Sequence, residues 1–390
     1  MTATEAGARV VGEDERLARI ALNTIGEPGD PRLTRLVEAM GPVELHDRLL
    51  ADVGLSGLRS ETAARLEGLD PRRILDAATA IGVRFVVPGD LEWPEQLDDL
   101  LGVEPLNRLT GAPLGLWVAG PLDLAAVCRR SVAVVGSRSA TSYGTDVAAD
   151  IAVGLAAAGR SVISGAAFGI DQAAHRGALS ADGKGSTVAV LACGVDRAYP
   201  TAHRDLLRHL KENGAVVSEL PPGCAPTRVR FLSRNRLIAA LSQGTVVVEA
   251  AVRSGALNTA GWAMRLNRPV MGVPGPVTSA PSEGVHELVR TGAATLVTRA
   301  AHVLELVSPM GSHLTQLARE EPSARDRLPP TDLRVLEAVP LVQPAGASGI
   351  ARTAGLSVSD VVESLVRLRE LGWVVGSAGR WRRSPDEPLG

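Results

Sequence analysis

Between residues 130 and 275 short β-branched runs recur at regular intervals: Val132–Val135, Val162–Ile163, Val188–Leu191, Ala215–Val217, Thr245–Val248 and Val270–Val273. Stretches of helical composition separate them, among them Tyr143–Ala158 and Ile170–Leu179. A strand that is apolar along its whole length has no face to give to water, so it belongs in a parallel sheet covered by helices on both sides. The pattern predicts an α/β fold, with a Rossmann-like, doubly wound, mostly parallel sheet over residues 111–310.

The flanks read differently. Residues 1–110 suit a small helical domain, SAM-like or helix-hairpin-helix-like, with helices over Glu13–Ile25, Arg32–Met40, Val43–Leu50, Ser60–Leu66 and Pro71–Ala80. The Pro/Gly-rich stretch Thr110–Gly120 closes it. Residues 311–327 are polar and suit a linker. Residues 328–385 order themselves as a C-terminal winged helix: helices over Asp332–Ala338, Gly349–Thr353 and Ser359–Leu371, then a hairpin from Trp373–Val375 to Arg380–Arg382.

The chain has 390 residues, 45% of them apolar and 22% charged, which excludes a wholly disordered polymer. No apolar run reaches the roughly 18 residues of a membrane span. Met1–Gly12 shows no basic segment leading into an apolar one, so the expectation is a cytoplasmic protein. The three cysteines (Cys128, Cys193, Cys224) form no CxxC pair, and the seven histidines show no HxH or HExxH spacing. No metal or cofactor is expected.

Charge is uneven along the chain. Residues 1–110 hold 12 basic and 20 acidic groups, residues 111–327 hold 22 and 16, and residues 328–390 hold 7 of each. The middle segment is therefore the place for an anionic ligand.

In an open parallel sheet, ligands bind beyond the carboxyl ends of the strands. Small and polar residues follow all six runs: Gly136-Ser137-Arg138, Ser164-Gly165 through Phe168-Gly169, Cys193-Gly194, Ser218-Glu219, Glu249 with Arg253-Ser254-Gly255, and Pro274-Gly275. Glycine lets the main chain approach an anion closely, and helix N-termini offer unpaired N–H groups. Gly136-Ser137 and Ser164-Gly165 each precede a helix and suit phosphate. Neither fits G-x-G-x-x-G or G-x-x-x-x-G-K-[ST], which argues against a standard dinucleotide or ATP site. A second signal is the run Thr227–Arg236, with four arginines (Arg228, Arg230, Arg234, Arg236), no acid, and Phe231 inside it. Such a run suits a phosphate-tracking surface with a base-stacking ring. Asp171, His175 and Glu249 read as structural groups, and no G-x-S-x-G nucleophile elbow occurs.

Several stretches in order resemble the DNA-processing protein A (DprA/Smf) family: Val134–Arg138 with Tyr143-Gly144, Ser164–Asp171 with Ala174–Leu179, Gly194 with Tyr199-Pro200, Ser218-Glu219, Phe231 with Arg234-Asn235-Arg236, Val247–Ala250, Ser254–Ala260 and Pro274-Gly275. The resemblance spans residues ~110–310. It implies a homodimer that binds single-stranded DNA, helps load the RecA recombinase in natural transformation and DNA recombination, and is not an enzyme. Combined with the strand-end reading, it makes the expected DNA contacts Gly136, Ser137, Arg138, Ser164, Gly165, Phe168, Gly169, Arg234, Asn235, Arg236, Ser254, Gly255, Asn258 and Thr259. The sequence departs from the family at Phe168, where an arginine is usual, and at Ser233, where a basic residue is common. A rival expectation is a nucleotide-binding or nucleoside-monophosphate-hydrolysing enzyme of the lysine-decarboxylase-like (LOG) class. Its loop would be Gln243–Glu249, which lacks that class's Pro-Gly-Gly start.

Overall fold

The computed structural model describes residues 11–51, 65–66, 68–181, 185–314 and 323–385. Most of the expected helix Ser60–Leu66 and the middle of the expected linker lie outside the described residues. The chain divides into two compact units, Met1–Thr315 and Gln316–Gly390.

The first unit is built on a nine-stranded sheet in the order β1-β2-β6-β5-β4-β3-β7-β8-β9. The six expected runs form β3 (Ser131–Val135), β4 (Ser161–Ser164), β5 (Thr187–Leu191), β6 (Ala215–Ser218), β7 (Thr245–Val247) and β8 (Val270–Gly272), all parallel. The short β9 (Thr295–Leu296) extends them in parallel beside β8. Register is fixed by pairs such as Val132↔Val162 and Val134↔Val246.

Both faces of the sheet are covered, as unbroken apolar strands require. Val132, Val134, Val162, Val246 and Met271 pack with the helices Ser142–Ala157, Ile170–Ser180 and Ala300–Val307. The alternate residues Ala133, Val135, Ile163 and Val247 pack on the other face with Arg228–Ala240 and Gly255–Arg265. Several of these helices begin where a side-chain oxygen can satisfy a free N–H. Thr141 caps Ser142–Ala157, Thr227 caps Arg228–Ala240 and Ser254 caps Gly255–Arg265.

The N-terminal region corrects the sequence reading. The helices Glu13–Ile25, Pro31–Met40, Pro42–Leu50 and Pro71–Ala80 are present. The region is not helical throughout, however, and the boundary at residue 110 cuts through the sheet. Val83–Val86 forms β1, antiparallel to β2 (Leu116–Ala119), which is itself antiparallel to β6. A shared core of Ile20, Phe85, Trp117, Leu207 and Leu210 and a buried relay tie this region down. Trp117 Nε1 donates to Asn23 Oδ1 at 2.9 Å, and Asn23 Nδ2 donates to the Glu219 carbonyl at 2.7 Å.

The second unit contains the helices Pro330–Ala338, Ala347–Ala354 and Val358–Glu370. A three-stranded antiparallel sheet accompanies them: β10 (Ala345–Gly346), β12 (Arg380–Arg383) and β11 (Val374–Ser377), in that spatial order. The hairpin turns at Ala378-Gly379, with φ of 49° and 75°, the positive values a two-residue type I′ turn needs. Arg367 forks onto the buried Asp332 at 3.0 and 2.7 Å and fastens the first helix to the third.

Candidate nucleic-acid interface

The strand order reverses between β3 and β7. Strands β3 to β6 are laid down in one direction, and β7 and β8 in the other. The loops that leave β3 and β7 therefore part and open a crevice at their carboxyl ends. A groove of about 790 Å³ lies there. Its walls are the loop after β3, the loop after β7 with the start of Gly255–Arg265, and the start of Arg228–Ala240. Two helix N-termini thus border one groove, each contributing free N–H groups and a partial positive charge.

Four arginines line it (Arg138, Arg228, Arg234 and Arg253) against one carboxylate, Asp171. Arg138, Arg228 and Arg253 are exposed and form no ion pair among the described residues. Arg234 sits deep, 6% exposed, and donates from Nη1 to the Val190 carbonyl at 2.6 Å. Burial pulls its pKa down to about 10, with the nearby Asp171 opposing, so it stays cationic at neutral pH. Burial pushes the Asp171 carboxyl up, while Arg234 and the N–H groups of Ala167 and Gly165 hold it down. Asp171 thus organises the loop after β4. An aromatic cluster completes the wall: Phe231 lies 5.6 Å from Tyr199 between ring centroids, with the Arg138 guanidinium 4.6 Å over its ring.

Eight of the expected contacts line the groove: Gly136, Ser137, Arg138, Arg234, Asn235, Ser254, Gly255 and Thr259. Six do not. Arg236 is the clearest correction. Its side chain is 0% exposed, forked onto Glu219 at 2.6 and 2.6 Å, with Nε donating to the Gly111 carbonyl at 3.0 Å. It is a core cation and cannot reach a ligand. Ser164 is buried and donates to the Val134 carbonyl. Gly165 is glycine because a Cβ would stand 1.8 Å from Arg234 Nη1; it makes room for the arginine. Gly169, at φ 74°, packs against the Ser137 carbonyl, where a Cβ would come within 2.3 Å. Asn258 accepts a hydrogen bond from Asn235 and orients it. Phe168 is 46% exposed and packs edge-on against His203, outside the groove lining. The usual basic position before Arg234, Ser233, is buried and bonds back to the Arg230 carbonyl.

The arginine run therefore splits by function. Arg228 and Arg234 face the groove, whereas Arg236 and Arg230 are held by carboxylates. Arg230 forks onto Glu27 at 3.0 and 2.7 Å. Arg253 and Tyr199 also line the groove and are absent from the expected contacts; Arg253 stands in the strand-end stretch Arg253-Ser254-Gly255, and Tyr199 in the motif that pairs it with Pro200. The residues expected to be structural are so placed. Glu249 accepts from Thr141 N at 2.9 Å and from Thr141 Oγ1 at 2.5 Å, clamping a helix start to the end of β7. His175 is fully buried against Thr187 Oγ1 at 2.7 Å, and burial depresses its pKa to about 3. Among the described residues no three His, Cys, Asp or Glu side chains gather as a metal site, and no helix is long and apolar enough to cross a membrane.

Comparison with known proteins identifies the family. Residues 84–308 match the family described as DNA recombination-mediator protein A. A Mycobacterium tuberculosis protein named for DNA processing (DprA) is 44% identical over 366 residues, covering 93% of this chain and 92% of its own. Protein Smf of Escherichia coli is 37% identical over 304 residues, covering 76% and 77%. The X-ray structure of DNA processing protein A from Streptococcus pneumoniae superposes with a TM-score of 0.61 at 29% identity, covering 77% of this chain and 100% of that one. A profile match over the sheet domain and relatives aligned over most of their length lead to one conclusion: the chain belongs to the DNA recombination-mediator protein A (DprA/Smf) family.

Proposed function

We propose that this chain binds single-stranded DNA in the groove between β3 and β7, as a homodimer in the cytoplasm, and helps load RecA on the bound strand. The observation that carries the binding is the groove itself: four arginines against one buried carboxylate, two helix N-termini, and the Tyr199–Phe231 pair. Arginine forks onto phosphate, and exposed rings stack on unpaired bases. The contact set is Ser137, Arg138, Tyr199, Arg228, Phe231, Arg234, Arg253 and Ser254.

Binding without turnover fits better than the hydrolase reading. Glu249 is committed to Thr141, and Gly244 stands before β7, at the end of the strand away from the groove. Release of adenine from AMP would revive the enzyme. For the C-terminal unit the reading is a winged helix that contacts protein. Its third helix exposes Val358, Val362 and Val366, while Arg367 is tied to Asp332 and Arg369 lies over Trp381.

The test is fluorescence anisotropy with oligo-dT and a matched duplex across a salt series. Single strands should bind more tightly. Four arginine–phosphate contacts at about 0.7 each give a log–log salt slope of roughly −2 to −3. Phe231→Ala should weaken binding by about 1–3 kcal/mol through lost stacking. Equal affinity for duplex, or no binding below about 100 µM at low salt, the weak limit of non-specific association, would reject the proposal. Faster RecA filament growth on oligo-dT in the presence of the protein checks the loading step.

A further inference from the structure

The further inference rests on the single-strand reading of the groove and extends it. Tyr199 forms one wall of the groove, and the three residues before it turn towards a different surface. Residues 196–198 and the helix Arg204–Asn213 line a second depression of about 340 Å³. Its cations are Arg197, Arg204, Arg208 and Lys211. Its one carboxylate, Asp196, already accepts the Gly223 N–H at 2.8 Å. Arg197, Arg204 and Lys211 have no ion-pair partner among the described residues. Arg208 pairs with Asp205 at 2.8 Å, but both side chains are well exposed, and such solvated pairs hold weakly. An exposed ring stands close by: Phe168 packs on His203, one residue before Arg204.

One basic depression thus follows another, with an exposed aromatic residue, Tyr199, between them. Cationic tracks interleaved with rings are how proteins follow an unpaired strand. We propose that the strand held in the groove passes over Tyr199 and continues onto this second surface, with Arg197, Arg204 and Lys211 gripping its phosphates. A small anionic metabolite would need only one of the two depressions. An acidic peptide would meet the charges but leave the rings unused.

The experiment compares oligo-dT of 6, 12, 20 and 30 nucleotides on the full chain and on the Arg204→Glu/Lys211→Glu variant. The wild type should gain affinity with length beyond the shortest oligonucleotide. The variant should bind dT6 within about twofold of wild type, yet lose about tenfold or more on dT30. Its salt slope on dT30 should fall by about 1.4, two contacts at about 0.7 each. Arg197→Ala/Arg204→Ala, at two exposed positions, repeats the test without a half-buried site. Length dependence that survives in both variants overturns the inference, as does a wild type that binds dT6 as tightly as dT30. Better competition by a short polyglutamate than by oligo-dT of equal charge assigns the surface to acidic protein and also overturns it. Wild-type binding to no oligonucleotide at all removes the groove reading itself.

Discussion

Two arginines two positions apart, Arg234 and Arg236, look alike in the sequence and do different work. Both are buried; which one is left to line the groove depends on Glu219, 17 residues before Arg236, and on the Gly111 carbonyl, 125 residues before it, which together hold Arg236 away. Composition reports how many cations a segment has, but not which of them the fold has already neutralised. Removing one partner of a buried pair leaves the other charged and dry, at a cost of about 3–5 kcal/mol. Arg236→Ala should therefore lower the thermal midpoint sharply, while Arg228→Ala should leave it unchanged and flatten the oligo-dT salt slope by about 0.7. The reverse assignment of the two effects would refute the placement. His175 was legible as structural, and its burial has a pH consequence. The unfolded chain binds a proton near pH 6.5 and the folded one only near 3, so stability is fully present above pH 6.5 and drains as pH falls towards 3. The loss amounts to about 1.4 kcal/mol per pH unit in that window. His175→Gln should remove this component from the melting profile between pH 6.5 and 4; an unchanged profile would show that His175 titrates freely.

At the scale of elements, the six parallel strands were readable because burial on both faces leaves an unbroken β-branched run, a local signal. β1 and β2 were missed for a physical reason. They are four residues each, 29 residues apart, and their antiparallel pairing is decided by the edge of β6, which nothing nearby announces. The helix starts show how tightly the strand ends are made. At Gly144 a Cβ would meet the Glu249 carboxyl carbon at 2.4 Å, and Thr141 holds that carboxylate in place. Helix propensity favours alanine over glycine by about 1 kcal/mol. Overpacking against a fixed buried group costs about 1–3 kcal/mol. The second effect wins, so Gly144→Ala should lower the thermal midpoint. Gly349, inside the helix Ala347–Ala354, has open space around the Cβ position, and Gly349→Ala should raise stability by about 0.5–1 kcal/mol. Differential scanning calorimetry reads both, and two shifts of the same sign would contradict the packing argument.

On the scale of the whole molecule, the acidic N-terminal region reads in the sequence as a separable helical piece, but it is part of the sheet domain's construction. Glu27 neutralises Arg230, Asn23 bridges Trp117 to Glu219 just past the end of β6, and β1 covers the edge of β2. Its negative charge is spent partly on arginines that would otherwise add to the cationic surface, which sharpens the groove instead of opposing it. Cutting at the boundary suggested by composition has a definite consequence. Removal of residues 1–110 strips β1 from β2 and uncovers Trp117 and the Glu219–Arg236 pair. An unpaired apolar edge invites pairing between chains. That truncation should aggregate on expression, and any soluble fraction should melt well below the full chain. Truncation after Met310 is the opposite case. It leaves every strand of the nine-stranded sheet and every residue lining the groove in place, and removes a unit that has its own core around Val335, Leu365 and Trp373. That shortened chain should remain folded and bind oligo-dT within about twofold of the full chain, with an unchanged salt slope, since none of the four groove arginines is lost. Loss of single-strand affinity on removing the C-terminal unit would move the binding site out of the groove, and survival of a well-folded protein without residues 1–110 would restore the boundary that composition suggested.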